Sequence, residues 1–292
     1  MSHLIFVYGT LRTGEANHHF LQSAEKVAEQ CWTEGALYIT GTNPVMIVGS
    51  DSRVYGELYR ITNDQLAELD RLELEINSDE KKQVKRITQI VHYDQGTKHA
   101  WMYVFEPTQI EGLASIPRGD WKCYQYLKLP ELYYFAYGSC MDDERFHIHG
   151  CPHLFQDVVG RGEITGYSFR YTYRAQDGGR ADIVEIGGTV EGKVYRVNQE
   201  ALDYLYIREG AQRTAGIYRP AFVTGKINGE VTQHLLTFIV REKEEETAPP
   251  MHYLREIIRG AKGFVSDEYL NQLVKYHKDQ FNLDILSLQL EE

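Results

Sequence analysis

The sequence predicts an α+β protein built from two tandem domains, residues 1–128 and 129–292. Three observations point there. The chain has 292 residues, long enough for two separately packed cores. An aromatic, strand-like run ending in Tyr-Gly and a hydroxyl residue occurs twice, at Leu4 to Leu11 and at Leu132 to Met141. Behind each copy, a leucine-bearing helical pattern ends in a glutamate, with Glu73 following Gly56 by 17 residues and Glu209 following Gly192 by 17. Tyr59 and Tyr195, Arg60 and Arg196, Leu66 and Leu202, and Leu69 and Leu205 coincide under the same offset. A period of about 130 residues indicates duplicated domains, since solenoid units are far shorter.

In the first half, Leu4 to Val7 forms a strand that delivers Tyr8, Gly9, Thr10 and Leu11 into a tight turn. Asn17 to Ala24 is a short candidate helix, and Gly35 to Thr40, Pro44 to Gly49 and Arg53 to Ile61 read as strands. Thr62 with Gln65 has the form of a capping box, so a helix starts there. Leu66, Leu69 and Glu73 lie on one face of it, at i, i+3 and i+7. The charged stretch Ser78 to Lys85 is expected to be a loop, with strands resuming at Val84 to Tyr93 and Ala100 to Phe105. Gly119-Asp120-Trp121 and Tyr124 then lead through Leu127 to Pro130, the connection between domains.

The second half follows the same plan with insertions. The run Tyr134, Phe135, Ala136, Tyr137, Gly138 and Ser139 repeats the strand and turn. Ile164 to Tyr173 and Ala181 to Ile186 read as strands around Gly178-Gly179, and Gly192 to Val197 is the counterpart of Gly56 to Ile61. Asn198 is the expected N-cap of a helix carrying Leu202, Leu205 and Glu209, and Gly210 is its stop. Strands are expected at Ala221 to Thr224 and His234 to Ile239, and Arg241 to Glu246 as a solvated loop. A helical tail with no counterpart in the first half follows, clearest at Tyr253 to Gly260 and Ser266 to Tyr276.

Composition narrows the function classes. Hydrophobic residues make up 42% and charged residues 25%, as in an ordinary globular protein. A net charge of -11 argues against a nucleic-acid partner, because no basic excess is present to neutralise phosphates. Cys31, Cys123, Cys140 and Cys151 form neither a CxxC pair nor a dense framework, which indicates reduced thiols and a cytoplasmic protein. The N-terminus reads as a strand, without the basic segment and apolar run of an export signal. No apolar stretch approaches the roughly 20 residues of a membrane span, so no membrane partner is expected.

The repeated turn and the repeated glutamate define the candidate chemistry. Glycine permits close backbone approach, and outward-facing amides in such a turn suit an anion or a carbonyl oxygen. A carboxylate at the apolar end of a helix is moved toward neutrality by desolvation and by the negative end of the helix dipole. Glu73 and Glu209 are therefore candidate general bases for an amine or hydroxyl proton.

These residues carry a resemblance. Strand-Tyr-Gly-Ser/Thr, then Gly-x-x-Tyr/Trp, then a leucine-bearing helix ending in glutamate resembles the γ-glutamylcyclotransferase-like superfamily, and does so in both halves. Phe6 to Arg12, Leu69-Asp70-Arg71-Leu72-Glu73 and Gly119-Asp120-Trp121 are similar to the γ-glutamylamine cyclotransferase and avirulence-induced-gene (AIG2-like) branch. Tyr134 to Ser139, Arg208-Glu209-Gly210, Gly216-Ile217-Tyr218-Arg219-Pro220 and the Tyr253 to Tyr269 tail are similar to the γ-glutamylcyclotransferase branch. Together they span most of the chain, which resembles the tandem form found in bacilli.

The resemblance implies a small mixed β-barrel with flanking helices in each half, and a cofactor-free reaction on a small-molecule γ-glutamyl substrate. The α-amine attacks the γ-carbonyl of the same glutamyl group, releasing an amine or amino acid and leaving 5-oxoproline. By this analogy Glu73 and Glu209 are the catalytic bases. Tyr8, Gly9, Thr10 and Leu11 in one half, and Tyr134 to Ser139 with Tyr218 in the other, bind the glutamyl group, in part through backbone amides. Both copies depart from the family pattern. Cys140 stands where the second branch usually has asparagine, Glu73 is followed by Leu74-Glu75 instead of glycine, and the first copy lacks a clear Gly-x-Tyr-x-Pro.

Other readings are weaker. His147, His149, Cys151 and His153 alternate as strand-borne metal ligands would, but Pro152 interrupts the strand and no partner ligands accompany them, so no metal site is assigned. Cys140 lacks a histidine tied to it by spacing, which disfavours a thiol nucleophile. A non-catalytic tandem module that binds γ-glutamyl metabolites or a protein partner is the alternative to an enzyme. The oligomeric state is left open.

Overall fold

The computed structural model describes residues 2–76, 84–211 and 216–285. The chain divides into two compact units, Met1–Leu127 and Lys128–Glu292. Each contains a closed five-stranded barrel, so both are mixed α+β domains.

In unit 1 the barrel strands are β1 (Ser2–Val7), β2 (Glu25–Glu34), β5 (Arg53–Thr62), β6 (Val84–Tyr93) and β7 (Gly96–Phe105). They close in the order β1-β5-β2-β6-β7, and the parallel pairing of β7 with β1 completes the ring. A side sheet adds β3 (Ala36–Thr40), β4 (Asn43–Ile47) and β8 (Ala114–Ser115). Helix α1 (Asn63–Ile76) starts at the expected box, where the Thr62 amide donates to Gln65 Oε1 at 2.9 Å and the Gln65 amide to Thr62 Oγ1 at 3.3 Å. Helix α2 (Trp121–Tyr126) is capped by Asp120, which accepts from the Cys123 amide.

Unit 2 repeats the winding. Its barrel uses β9 (Glu131–Ala136), β10 (Val158–Thr165), β13 (Thr189–Asn198), β14 (Tyr218–Ile227) and β15 (Glu230–Val240), in the order β10-β13-β9-β15-β14. With β1 matched to β9 and β5 to β13, the two rings have the same cyclic order. Helix α3 (Asp143–Ile148) follows β9, and the hairpin β11 (Ser168–Ala175) and β12 (Gly178–Val184) replaces the side sheet. Helix α4 (Gln199–Arg208) is capped by Asn198, whose side chain accepts from the Ala201 amide. The tail forms α5 (Met251–Ala261) and α6 (Asp267–Phe281), the latter capped by Ser266.

The recurring glycine of β5 and β13 has one physical cause in both units. A Cβ on Gly56 would lie 2.3 Å from the Val7 carbonyl oxygen and 2.7 Å from the Phe6 ring. A Cβ on Gly192 would lie 2.2 Å from the Ala136 oxygen and 2.9 Å from Phe135. The aromatic of the first strand thus crosses the glycine of its neighbour inside each barrel. Because the obstacle is backbone, Gly192→Ala is expected to cost about 1–3 kcal/mol by overpacking. Urea unfolding measures this, and an unchanged midpoint would refute the packing account.

Several elements differ from expectation. Asn17 to Ala24 holds only a short 3₁₀ turn, His18–Leu21. Strand β2 was not foreseen: its register shifts twice against β5, and Ala28 to Cys31 are buried in succession, which erases the alternation. The expected strand Ile164 to Tyr173 is divided, because β10 ends at Thr165 and β11 starts at Ser168. Arg241 to Glu246 is not merely solvated. Lys243 donates to Asp182 at 2.7 Å, and Glu246 bonds Tyr276 and accepts from the Tyr171 amide. Most of the expected loop Ser78 to Lys85 lies outside the described residues.

Candidate active sites

In each unit the first barrel strand ends at the Tyr-Gly turn, and the helix after the glycine-bearing strand brings its glutamate to the same opening. The tyrosine is anchored identically. Tyr8 donates to the Tyr103 carbonyl at 2.9 Å, and Tyr137 to the Phe238 carbonyl at 2.6 Å. Tyr103 and Phe238 occupy matching positions on the strands paired in parallel with β1 and β9.

In unit 1, Tyr8, Gly9, Thr10, Leu11 and Glu73 line one cavity of about 40 Å³, with Asn43, Pro44 and Val45 of the side sheet over it. That is room for about one water molecule. Pro44 seats so closely on Gly9 that a Cβ there would meet its Cγ at 2.5 Å. Burial, then the charge of Glu73, pushes the Tyr8 hydroxyl far above its ordinary pKa, so it stays neutral. The Thr10 hydroxyl accepts from Asn17 Nδ2 at 3.0 Å.

The turn continues into a buried ion network. Arg12 donates to Glu57 at 3.3 Å and to Asp120 at 2.9 Å, and Lys122 donates to Glu57 at 3.0 Å. Thr13 gives Glu57 its amide at 2.8 Å and its hydroxyl at 2.9 Å, and Tyr59 adds a bond at 2.7 Å. Burial alone would raise the Glu57 pKa, but Lys122 and Arg12 hold it well below the usual carboxylate range. At the matching position unit 2 reverses the charge, where Lys193 bonds Asp143 at 3.0 Å and 3.1 Å.

Unit 2 has the larger site, a cavity of about 300 Å³ lined by Tyr134, Tyr137, Gly138, Ser139, Tyr218 and Glu209 among others. Phe135 and Ala136 are not part of this wall. Phe135 is fully buried against Gly162 and Gly192, and both residues sit in a strand paired with β13, so this expectation is corrected. Tyr218 donates to the Ala181 carbonyl at 2.6 Å, and the Ala181 amide donates to the Tyr253 hydroxyl at 3.2 Å. Together they fix one strand of the hairpin as the wall facing the turn.

Glu209 is the C-cap of α4 and half-buried. Burial raises its pKa, while Arg208, the Cys140 thiol and Arg145 pull in the opposite direction and leave a net upward shift. Cys140 donates to Glu209 Oε1 at 3.7 Å and accepts from Arg208 Nε at 3.2 Å. The sulfur therefore joins the turn to the Arg208–Glu209 pair. Burial pushes the thiol up as well, which keeps it a donor and weakens it as a nucleophile. Arg208 Nη2 donates to Ser139 Oγ at 3.2 Å.

Sequence reasoning missed Arg145, Arg180, Tyr173 and Tyr253 as members of this wall. They come from α3, β12, β11 and α5, and no spacing along the chain brings those segments together. Arg208, beside Glu209, and Tyr253, at the start of the helical tail, both stood in motifs of the second half and could have been included. The His147 to His153 run spans α3 and a 3₁₀ turn, Pro152–Phe155, so the strand alternation that would align the four side chains does not exist. Among the described residues no group of three or more His, Cys, Asp or Glu side chains could hold a metal ion. No helix among them is long and apolar enough to cross a membrane.

Comparison with known proteins gives consistent results over both units. The Gamma-glutamyl cyclotransferase, AIG2-like family matches residues 5–123, and the AIG2-like family matches residues 189–273. The chain is 41% identical over 280 residues to "Putative gamma-glutamylcyclotransferase YkqA" of Bacillus subtilis (strain 168), across 94% of this chain and 98% of that protein. The crystal structure of YkqA from Bacillus subtilis matches with a TM-score of 0.85 at 40% identity, covering 96% of this chain and 98% of that one. "Gamma-glutamylcyclotransferase family protein YtfP" of Escherichia coli (strain K12) is 35% identical over 117 residues, 40% of this chain and 94% of its own length.

Proposed function

Because the chain belongs to the γ-glutamylcyclotransferase family, as a tandem pair of its domains, we propose that it converts a γ-glutamyl compound to 5-oxoproline and a free amine, and that unit 2 carries the turnover. The observation that supports this most is the placement of a half-buried Glu209 in the same cavity of about 300 Å³ as the Tyr137-Gly138-Ser139 turn. Glu209 takes a proton from the substrate α-ammonium. The freed amine attacks the γ-carbonyl carbon of the same molecule, forming the ring C–N bond and a tetrahedral oxyanion. Collapse breaks the bond to the leaving nitrogen, which receives the proton held by Glu209, and the surplus proton of the ring nitrogen passes to the departing amine, so that 5-oxoproline and an ammonium are released and Glu209 is again a carboxylate.

The nucleophile is tethered, so orientation supplies much of the rate. Gly138 lets the turn sit close to the hairpin wall of the cavity, since a Cβ there would crowd the Ala181 Cβ at 3.2 Å. Glu73 and the Tyr8 to Leu11 turn repeat the arrangement in unit 1. The cavity of about 40 Å³ there admits a glutamyl group only if the β3–β4 hairpin moves off Gly9.

The reading is tested by screening γ-glutamyl amino acids, γ-glutamyl-ε-lysine and glutathione for 5-oxoproline release. Tight binding without turnover of any of them would favour the binding-module alternative. The pH profile adds a second check. Glu209 acts as its carboxylate, so kcat/KM rises as pH climbs through its pKa, which burial places above the ordinary carboxylate value. Arg208→Met removes the strongest opposing influence and is expected to move that acid limb to higher pH. A limb that stays in place would remove Arg208 from this role.

A further inference from the structure

The helical tail of unit 2 packs its first helix against the Tyr-Gly turn. Tyr253, Glu256 and Gly260 fall at i, i+3 and i+7 of α5, which puts them on one face. Tyr253 is a wall of the cavity, and Glu256 pairs with Arg145 of the same wall. Gly260 seats on the end of the turn, where a Cβ would lie 2.5 Å from the Met141 carbonyl carbon and 2.6 Å from the Asp142 amide nitrogen. The missing side chain is what lets helix and turn approach this closely.

The turn closes through the Met141 amide on the Gly138 carbonyl at 3.0 Å and the Asp142 amide on the Ser139 carbonyl at 3.2 Å. Asp142 therefore belongs to the turn, and its side chain is buried. Arg259, next to Gly260, takes that carboxylate with two donors, Nε to Oδ1 at 3.0 Å and Nη2 to Oδ2 at 2.5 Å, and its Nη1 pairs with Glu144 at 2.5 Å. A bidentate guanidinium–carboxylate pair fixes direction as well as distance. In unit 1 the same stretch is held from the barrel, where Glu57 accepts from the amide and hydroxyl of Thr13, the counterpart of Asp142. Unit 2 has Lys193 at the position of Glu57, and an ammonium cannot accept from an amide. Its barrel contributes the Tyr195 hydroxyl on the Cys140 carbonyl at 3.1 Å, and its tail supplies the charge that holds Asp142.

Resting on the cyclotransferase reading above, we propose that Arg259 is a positioning residue for the reaction in unit 2: by clamping Asp142 it fixes the turn that orients the glutamyl group before Glu209. Without Arg259 the buried carboxylate is left uncompensated and moves toward water, drawing Met141 and the turn with it. The attack is intramolecular, so its rate depends on orientation, and a displacement of about 1 Å costs roughly 10²-fold.

Arg259→Gln is expected to lower kcat for 5-oxoproline release roughly 10- to 100-fold while KM changes less than about threefold. A kcat within about twofold of the intact protein would overturn the proposal. Calorimetric titration with γ-glutamylglycine separates positioning from loss of folded protein. Arg259→Gln combined with Glu209→Gln should bind with the same stoichiometry as Glu209→Gln alone. A stoichiometry that falls in proportion to kcat would mean that Arg259 merely supports the fold, and would overturn the assignment. The route through Asp142 is read from a double-mutant cycle: Asp142→Asn with Arg259→Gln should lose no more kcat than Arg259→Gln by itself, because the uncompensated charge is gone. Additive losses would overturn it. Absence of 5-oxoproline release by the intact protein from every γ-glutamyl compound screened would reject the cyclotransferase reading itself and this proposal with it, whereas each of the other contrary results removes Arg259 alone.

Discussion

Replacing Glu209 by glutamine is expected to lower 5-oxoproline release by about 10²- to 10⁴-fold, the usual contribution of a positioned general base. The substitution preserves size and can still accept from the Cys140 thiol at the carbonyl end of the amide. It cannot accept the α-ammonium proton. Substrate affinity, read by calorimetry, should change far less than kcat, because the turn and the tyrosine wall are untouched. Glu73→Gln is expected to have the smaller effect, since its cavity of about 40 Å³ lies under Pro44. The reverse ranking of the two variants would move the reaction to unit 1.

Glu57→Gln is expected to destabilise unit 1 by about 3–5 kcal/mol, because it leaves a buried cation uncompensated. Glu57 and Asp120 together balance Arg12 and Lys122, and all four are buried. Removing one anion leaves one positive charge in excess within a site that water does not reach. Adding Lys122→Met to the variant should recover part of the loss, since the excess charge is then gone. The sign with pH follows from the lowered Glu57 pKa. Its contribution is complete above the unfolded carboxylate value of about 4.3 and disappears as pH falls through the lower folded value. Urea titration at neutral pH measures the change in the unit 1 transition. A shift below about 1 kcal/mol would mean that the network is no more than a surface-type pairing.

Much of this architecture was legible in the chain because local chemistry and tertiary structure agree. Thr62 with Gln65 marked the start of α1, Asn198 marked α4, and the common register of Gly56 and Gly192 revealed the duplication before any barrel was in view. Strand β2 was not legible, because its bulges place consecutive residues inside and carry Glu29 and Gln30 into the buried set. The reacting end of the site was readable because turn and glutamate recur at fixed spacing. Its cationic side was not, since Arg145 and Arg180 meet only when α3 and β12 are folded around one cavity.

Cys140 shows where sequence comparison and geometry part. In the sequence it is a departure from the family pattern in the second copy. In the folded unit the sulfur joins Arg208 to Glu209, and the first copy is the one whose cavity is nearly filled.

Turnover of γ-glutamylglycine in H₂¹⁸O, with the products resolved by mass spectrometry, tests the central claim most directly. Intramolecular transfer predicts 5-oxoproline and glycine without ¹⁸O, because no water enters the bond-making step. Glutamate carrying ¹⁸O as the primary product would contradict the account, since it would mean that Glu209 activates water for hydrolysis instead of the substrate amine.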